Sequence, residues 1–166
     1  MALLAHDSPE LRKARGAFFT PGLIAAYVAD WAVRTTTDRV FEPSCGEAAF
    51  LLAAADRLSR LGADPGLSRQ LSGVELHSSS AATAKALLQD AGHESSITVG
   101  DFFRTVPDPS YEAVIGNPPY VRYQAFSGES RAAAQRAALR AGVSLTNLAS
   151  SWAAFTVHAA LHVRPG

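Results

Sequence analysis

Four consecutive residues, Asn117-Pro118-Pro119-Tyr120, hold the richest chemistry in the chain. A proline pair fixes extended backbone and aims the Pro118 carbonyl outward without an internal partner. Next to it the Asn117 side chain offers a second carbonyl oxygen. Two acceptors side by side suit a nitrogen that presents two N–H groups, either a side-chain amide or an exocyclic amine. Accepting both protons draws the nitrogen lone pair out of conjugation and turns a poor nucleophile into a better one. Tyr120 supplies a flat face on which a planar base or amide stacks. The plainer alternative is a Pro-Pro turn with an Asn cap and a core tyrosine.

Three further stretches carry weaker signals. In Phe41-Glu42-Pro43-Ser44-Cys45-Gly46-Glu47-Ala48 a strand ends in a small-residue turn and opens a helix. Such a turn lets a ligand approach the backbone and the helix N-terminal N–H groups, although an ordinary strand-to-helix turn reads the same way. Cys45, the single cysteine, has no histidine that sequence alone pairs with it, so it is read as a small packing residue. Glu75 ends a second strand about 30 residues past the turn, where an acid serves two ribose hydroxyls in nucleotide-type sites or simply meets solvent. Asp101, with Phe102 and Phe103, follows a third strand. The carboxylate would accept from an adenine amine under a covering ring, or the stretch is a surface turn over a core phenylalanine. Taken together, these strand ends describe an adenosine-shaped ligand better than any of them does alone.

The elements that position these residues alternate. Asp7 and Glu10 form a capping box for a first helix ending near Gly16. Thr20 caps a second helix with Pro21 in its first turn, and Leu23, Ile24, Tyr27, Val28 and Trp31 mark its buried face. Strands are expected at Arg39–Glu42, around Leu71–Leu76, at Ile97–Val99 and at Ala113–Ile115. Helices are expected around Phe50–Leu58 with Gly62 as the stop, and over Ser79–Asp90 ended by Gly92. Two more follow: Glu129–Arg140, and Asn147–Val163 with Leu148, Trp152, Phe155 and Ala159 on one face. Strand and helix in this rhythm mean βαβ units and a mostly parallel sheet. About four strands with an uncovered edge look like an unfinished domain, so the chain is read as truncated.

Composition sets the outer limits. The 166 residues fit one domain, and 48% hydrophobic with 18% charged residues excludes a disordered tail. Fifteen basic residues balance fifteen acidic ones, so no overall charge draws the chain to nucleic acid or an anionic membrane. One cysteine excludes an internal disulfide or a multi-cysteine zinc site and fits a reducing cytoplasm. No apolar run has the length of a membrane span. His158 and His162 stand one helical turn apart, the spacing of a metal pair, but no third ligand is evident, and no metal is expected. Arg131, Arg136 and Arg140 are read as a solvated helix face rather than phosphate contacts.

These motifs, in this order, resemble the N6-adenine DNA methyltransferases of the gamma class, which use S-adenosyl-L-methionine in restriction-modification systems. Gly16-Ala17-Phe18-Phe19-Thr20-Pro21 is similar to the family's leading cofactor motif, and Glu42 through Leu51 to its main one, with Glu42 and Gly46 in matching positions and Pro43, Ser44 and Cys45 expected to bind cofactor between them. Glu75, followed by Leu76, matches the ribose-binding acid; Asp101-Phe102 matches the adenine pair; Asn117 through Tyr120 matches the catalytic motif. Asn147–Gly166 is similar to the helix leading into a fifth strand. The resemblance implies a Rossmann-like class I methyltransferase: an α/β, three-layer domain with a mostly parallel sheet, cut after about four strands. Residues 1–36 would form the N-terminal helices with the leading motif, 37–126 the cofactor core, and 127–166 a helical segment.

The implied reaction transfers a methyl group to N6 of an adenine flipped out of double-stranded DNA. Catalysis would be positioning plus stabilisation of charge growing on nitrogen, without a covalent enzyme intermediate. Two departures stand out. The main motif usually has a second glycine where this chain has Ala48, which matters only if that position needs a positive φ. The later strands, the far-side aromatic and the target recognition domain are absent, so the 166 residues alone are expected to be inactive on DNA. Two rival readings are a glutamine methyltransferase acting on release factors, which shares the Asn-Pro-Pro-Tyr logic, and a non-catalytic cofactor-binding module of a defence complex. The Phe19-Thr20-Pro21 element favours DNA over the first.

Overall fold

Val40 and Phe41 are neighbours in sequence, yet they bury their side chains in different cores. That follows from the two-residue period of a strand, and here it means that both faces of the sheet are covered. A computed structural model describes residues 20–64, 70–119, 128–146 and 149–165. Its elements are α1 (Gly22–Ala32), β1 (Val40–Pro43), α2 (Ala49–Leu61), β2 (Leu71–Glu75), α3 (Ser78–Asp90), β3 (Ser95–Val99), β4 (Ala113–Val114), α4 (Gly128–Arg140) and α5 (Ser151–Ala160). A single 3-10 turn, Phe102–Arg104, stands between β3 and β4.

The sheet runs β3-β2-β1-β4, and every pairing is parallel. Val40 through Pro43 pair with Leu71 through Val74, Leu71 through Glu75 with Ser95 through Val99, and Val40 and Phe41 with Ala113 and Val114. β1 and β2 lie in the middle and are buried along their whole length, whereas β3 at the edge is largely exposed. On one face α1, α2 and α3 enclose Val40, Leu71, Leu51, Leu58, Leu88 and Ile115. On the other, α5 and the 3-10 turn close over Phe41, Val74, Phe102, Tyr111 and Phe155. The expected three-layer α/β architecture is therefore present. After α5 the backbone begins a further parallel pairing, with Val163 beside Tyr111 and the Arg164 N–H donating to the Tyr111 carbonyl at 2.8 Å.

Gly62 sits at φ 92 as the left-handed cap of α2, as its position in the sequence suggested. Phe50, Leu51, Ala54 and Leu58 form the buried face of that helix. Three expectations fail. On α1 the large apolar residues point outward: Leu23 is 88% and Trp31 69% exposed, and Ile24 and Tyr27 are exposed as well. The helix packs instead through Ala25 and Ala29, with Val28 and Ala32 partly buried. A segment apolar on nearly every side does not reveal which face is inward, and small residues let the two helices approach closely. Pro21, with no side-chain bond, also takes the cap position assigned to Thr20. In the last helix the regular span is Ser151–Ala160, and its buried face is Ser151, Ala154, Phe155 and His158, leaving Trp152 half exposed. The first helix expected near Asp7–Gly16 lies outside the described residues.

Candidate active site

A parallel sheet brings the C-terminal ends of all its strands to one edge, where open α/β sheets bind ligands. The sheet order then sets the order of residues along that edge: Asp101 after β3, Glu75 at the end of β2, Ser44 to Gly46 after β1, and Asn117 to Pro119 after β4. Three strand spacings make this row about 15 Å long.

The loop after β1 is the tightest part of the row. Cys45 N–H donates to the Val74 carbonyl at 2.9 Å, which pins the loop over β2. Ser44, Gly46 and Ala48 all have positive φ, at 59, 53 and 64 degrees. Only glycine adopts that region freely, so Ser44 and Ala48 hold local strain. The question raised by Ala48 is thus answered: the position is left-handed, and alanine is strained there. A Cβ placed on Gly46 would meet nothing within 4 Å, so the space above the loop is open.

Two acids brace this loop from below. Glu75 is only 6% exposed, and its Oε2 accepts from the Gly46 N–H at 2.9 Å while its Oε1 accepts from His77 N–H at 2.9 Å. Each carboxylate oxygen has a second lone pair left for a ligand hydroxyl. Glu42 is buried, and its Oε2 accepts from the Leu51 N–H at 3.0 Å. Its carboxylate thus caps the N-terminus of α2 from the preceding strand. Burial drives the Glu42 carboxyl well above its ordinary range, and the nearby Glu75 charge adds to this, against the opposing Leu51 and Phe50 N–H bonds. Cys45 is buried, and its thiol is pushed far up, first by desolvation and then by the two acids, which fits packing and not nucleophilic attack.

Asp101 caps the 3-10 turn, its Oδ1 accepting from Phe103 N–H at 3.0 Å, with Arg104 Nε 3.6 Å from Oδ2. Of the two readings of this stretch, the Phe102 ring follows the core one. It is 5% exposed and lies in the lower core against Phe41, Phe155 and His158. Leu76, 61% exposed beside Glu75, is an apolar side chain that the edge presents.

Asn117, Pro118 and Pro119 are half-buried at the end of β4. A Cβ on Gly116 would lie 3.5 Å from both Glu42 Cγ and the Pro43 carbonyl, so this stretch starts directly against the loop of β1. Among the described residues, no hydrogen bond engages the Asn117 side chain or the Pro118 carbonyl. The Pro119 carbonyl is held, accepting from Ser151 Oγ at 2.7 Å. Ser151 was missed in the sequence, since a serine at a helix start signals only a cap.

Thr20 and Pro21 lead into α1, which packs on α2. Phe19 and Tyr120 lie outside the described residues. His158 and His162 belong to the lower core: His158 Nε2 lies 3.1 Å from the Phe102 carbonyl, and His162 stacks on Phe41. Among the described residues no group of three His, Cys, Asp or Glu could hold a metal ion, and no helix is long and apolar enough to cross a membrane.

The family model described as N-6 DNA Methylase matches residues 2–166. The type II methyltransferase M.XamI of Xanthomonas campestris pv. amaranthicola is 30% identical over 125 residues, covering 72% of this chain and 21% of the relative. M.HincII of Haemophilus influenzae is 29% identical over 112 residues, covering 68% and 18%. The chain therefore spans about a fifth of the length of these relatives. Among solved structures, the M protein of the type I restriction enzyme EcoKI superposes with a TM-score of 0.64 at 18% identity, over 90% of this chain and 32% of that one. A class I S-adenosylmethionine-dependent methyltransferase of Listeria monocytogenes gives 0.65 at 18% identity, over 87% and 42%. These two likenesses establish the shared fold.

Proposed function

The chain belongs to the N-6 DNA methylase family, and from that premise we propose that it is the cofactor-binding and catalytic part of a site-specific DNA adenine N6-methyltransferase of a restriction-modification system. The observation that carries this reading is the row Asp101, Glu75, Gly46, Asn117 along one sheet edge. The row ends in two acceptors that no hydrogen bond engages among the described residues. It matches an elongated ligand with a base at one end and a reacting group at the other, followed by a target amine.

S-adenosyl-L-methionine fits these residues, because the space above Gly46 is open and carboxylates stand where amine and hydroxyl groups would need acceptors. Asp101 would hold its adenine amine, Glu75 its ribose hydroxyls, and the loop from Ser44 to Gly46 its middle, with Leu76 against the base. Phe19, Thr20 and Pro21 would close over the methionine end. Bound there, the cofactor supplies an electrophilic methyl group. Ahead of it, the Asn117 carbonyl oxygen and the Pro118 carbonyl accept the two protons of a target amine and orient its lone pair. Tyr120 stacks on the flipped base and keeps it in that plane. The rate gain comes from orientation and from fixed dipoles facing the positive charge that grows on nitrogen.

The family model, described as N-6 DNA Methylase, favours DNA adenine over a protein amide as the methyl acceptor. Residues 1–166 would form the N-terminal portion of the catalytic domain, with double-stranded DNA as partner and sequence recognition assigned to residues outside the chain. A cytoplasmic location fits this role. The test is Asn117→Ala in the full-length protein, with N6-methyladenine read by mass spectrometry. Turnover should vanish while cofactor binding stays. Equal loss of both would refute the division of roles.

A further inference from the structure

Among the described residues, the Pro119 carbonyl is the acceptor of the catalytic stretch that another side chain holds, and that side chain is Ser151, 2% exposed in the first turn of α5. Resting on the function proposed above, we infer that Ser151 is a positioning residue for methyl transfer, fixing the Pro119 carbonyl so that the Pro118 carbonyl faces the target amine.

The argument starts from the proline pair. Neither proline has an N–H, so the ladder that fixes an ordinary strand end is missing here. A residue preceding proline keeps to extended or polyproline backbone, in which successive carbonyls point to different sides. The Pro119 ring fixes its own φ, so ψ of Pro119 is the torsion left between the Pro118 and Pro119 carbonyls, and anchoring the second sets the direction of the first. Among the described residues, Ser151 Oγ is the donor that does so, at 2.7 Å.

Ser151 is itself held firmly. Ala154 and Phe155, on the same face of α5, pack into the lower core, Ala154 against Ala134 of α4 and Phe155 against Phe102. His158, one turn further on, lies against Phe102 with its Nε2 3.1 Å from the Phe102 carbonyl. A serine in that frame reaches the catalytic stretch from rigid helix, and a displaced reacting group of even about 1 Å costs on the order of 100-fold in rate.

The experiment compares Ser151→Ala, Ser151→Thr and Asn117→Ala in the full-length protein on adenine-containing duplex DNA. Melting temperature and S-adenosylmethionine affinity are measured alongside. Ser151→Ala should lower kcat by roughly 10- to 100-fold, with melting temperature and cofactor affinity close to native. Ser151→Thr, which keeps the hydroxyl, should recover most of the rate. Native kcat in Ser151→Ala, with Asn117→Ala inactive, overturns the role of Ser151 and leaves the function standing. Turnover retained by both overturns the functional reading and this inference with it. Should Ser151→Ala fail to fold, Ser151→Cys, of similar size but a weaker donor, carries the same comparison: a lowered kcat supports the role and a native one overturns it.

Discussion

Glu75 Oε2 accepts a hydrogen bond from the Gly46 N–H at 2.9 Å, tying the acid at the end of β2 to the glycine after β1. Two motifs about thirty residues apart thus form one piece, and the acid orders the loop before any ligand arrives. Glu75→Gln keeps one acceptor and loses the charge; Glu75→Ala loses both. Cofactor affinity should fall in both variants, and the Ala variant should also lose stability, by about 1–3 kcal/mol for the unpaired Gly46 and His77 N–H groups. Urea unfolding with a cofactor titration checks this. Unchanged stability in Glu75→Ala would contradict the bracing role.

Ala48 is held at φ 64 with its Cβ fully buried. Ala48→Gly relieves roughly 1 kcal/mol of left-handed strain but gives up a comparable amount in buried methyl and chain entropy. Its stability should stay within about 1 kcal/mol of native. Ala48→Val adds a branched side chain at the same φ and should cost about 2 kcal/mol or more. A near-neutral Val variant would contradict the geometry.

Gly73 of β2 faces Cys45 in the loop after β1. A Cβ at Gly73 would lie 3.0 Å from Cys45 Sγ and 3.2 Å from Ile97 Cδ1. Gly73→Ala should cost about 1–3 kcal/mol through overpacking, and adding Cys45→Ala should return part of it. Additive losses in thermal unfolding would argue against direct contact.

Burial lowers the pKa of His162 to about 4, with the neighbouring His158 adding to the effect against the pull of Asp108. His158 is lowered too, first by burial. Both rings are neutral when folded, while the unfolded chain takes up protons below roughly pH 6.5. Stability from this source is therefore complete above that pH and falls as pH drops toward 4, by up to about 3 kcal/mol for His162. His162→Phe preserves the stack on Phe41 and should flatten this limb of the stability curve. An unchanged limb would contradict it.

Glu42 has the opposite sign. Its carboxyl titrates higher when folded, so its contribution is complete below the unfolded value near 4.5 and is lost as pH rises. Glu42→Gln retains an acceptor for the Leu51 N–H and should gain on the native protein as pH rises above 4.5. A parallel pair of curves would rule out the raised pKa.

Strands β1 to β4 and helices α2 to α4 were legible to within about two residues, because Gly62 and Gly92 stop their helices and short stretches with apolar residues alternate with them. The edge row was legible for the same reason: parallel order follows from alternation, and order fixes which strand ends adjoin. Three features were not. Phe102 reads as a ligand cover beside Asp101 or as a core residue, and the 3-10 turn that it opens puts its ring in the core. The apolar surround of α1 hides which side is inward. The anchoring of Pro119 by Ser151 spans 32 residues and depends on how α5 returns over the sheet, which no local pattern encodes.

The central claim is that this edge is a cofactor site built from Asp101, Glu75 and the Gly46 loop. The most direct measurement is a calorimetric titration of S-adenosyl-L-methionine into the 166-residue chain, with Asp101→Ala beside it. Saturable binding that weakens at least tenfold in the variant is the predicted result. Binding of equal strength in both proteins, or none in either, would contradict the assignment of this edge as the cofactor site.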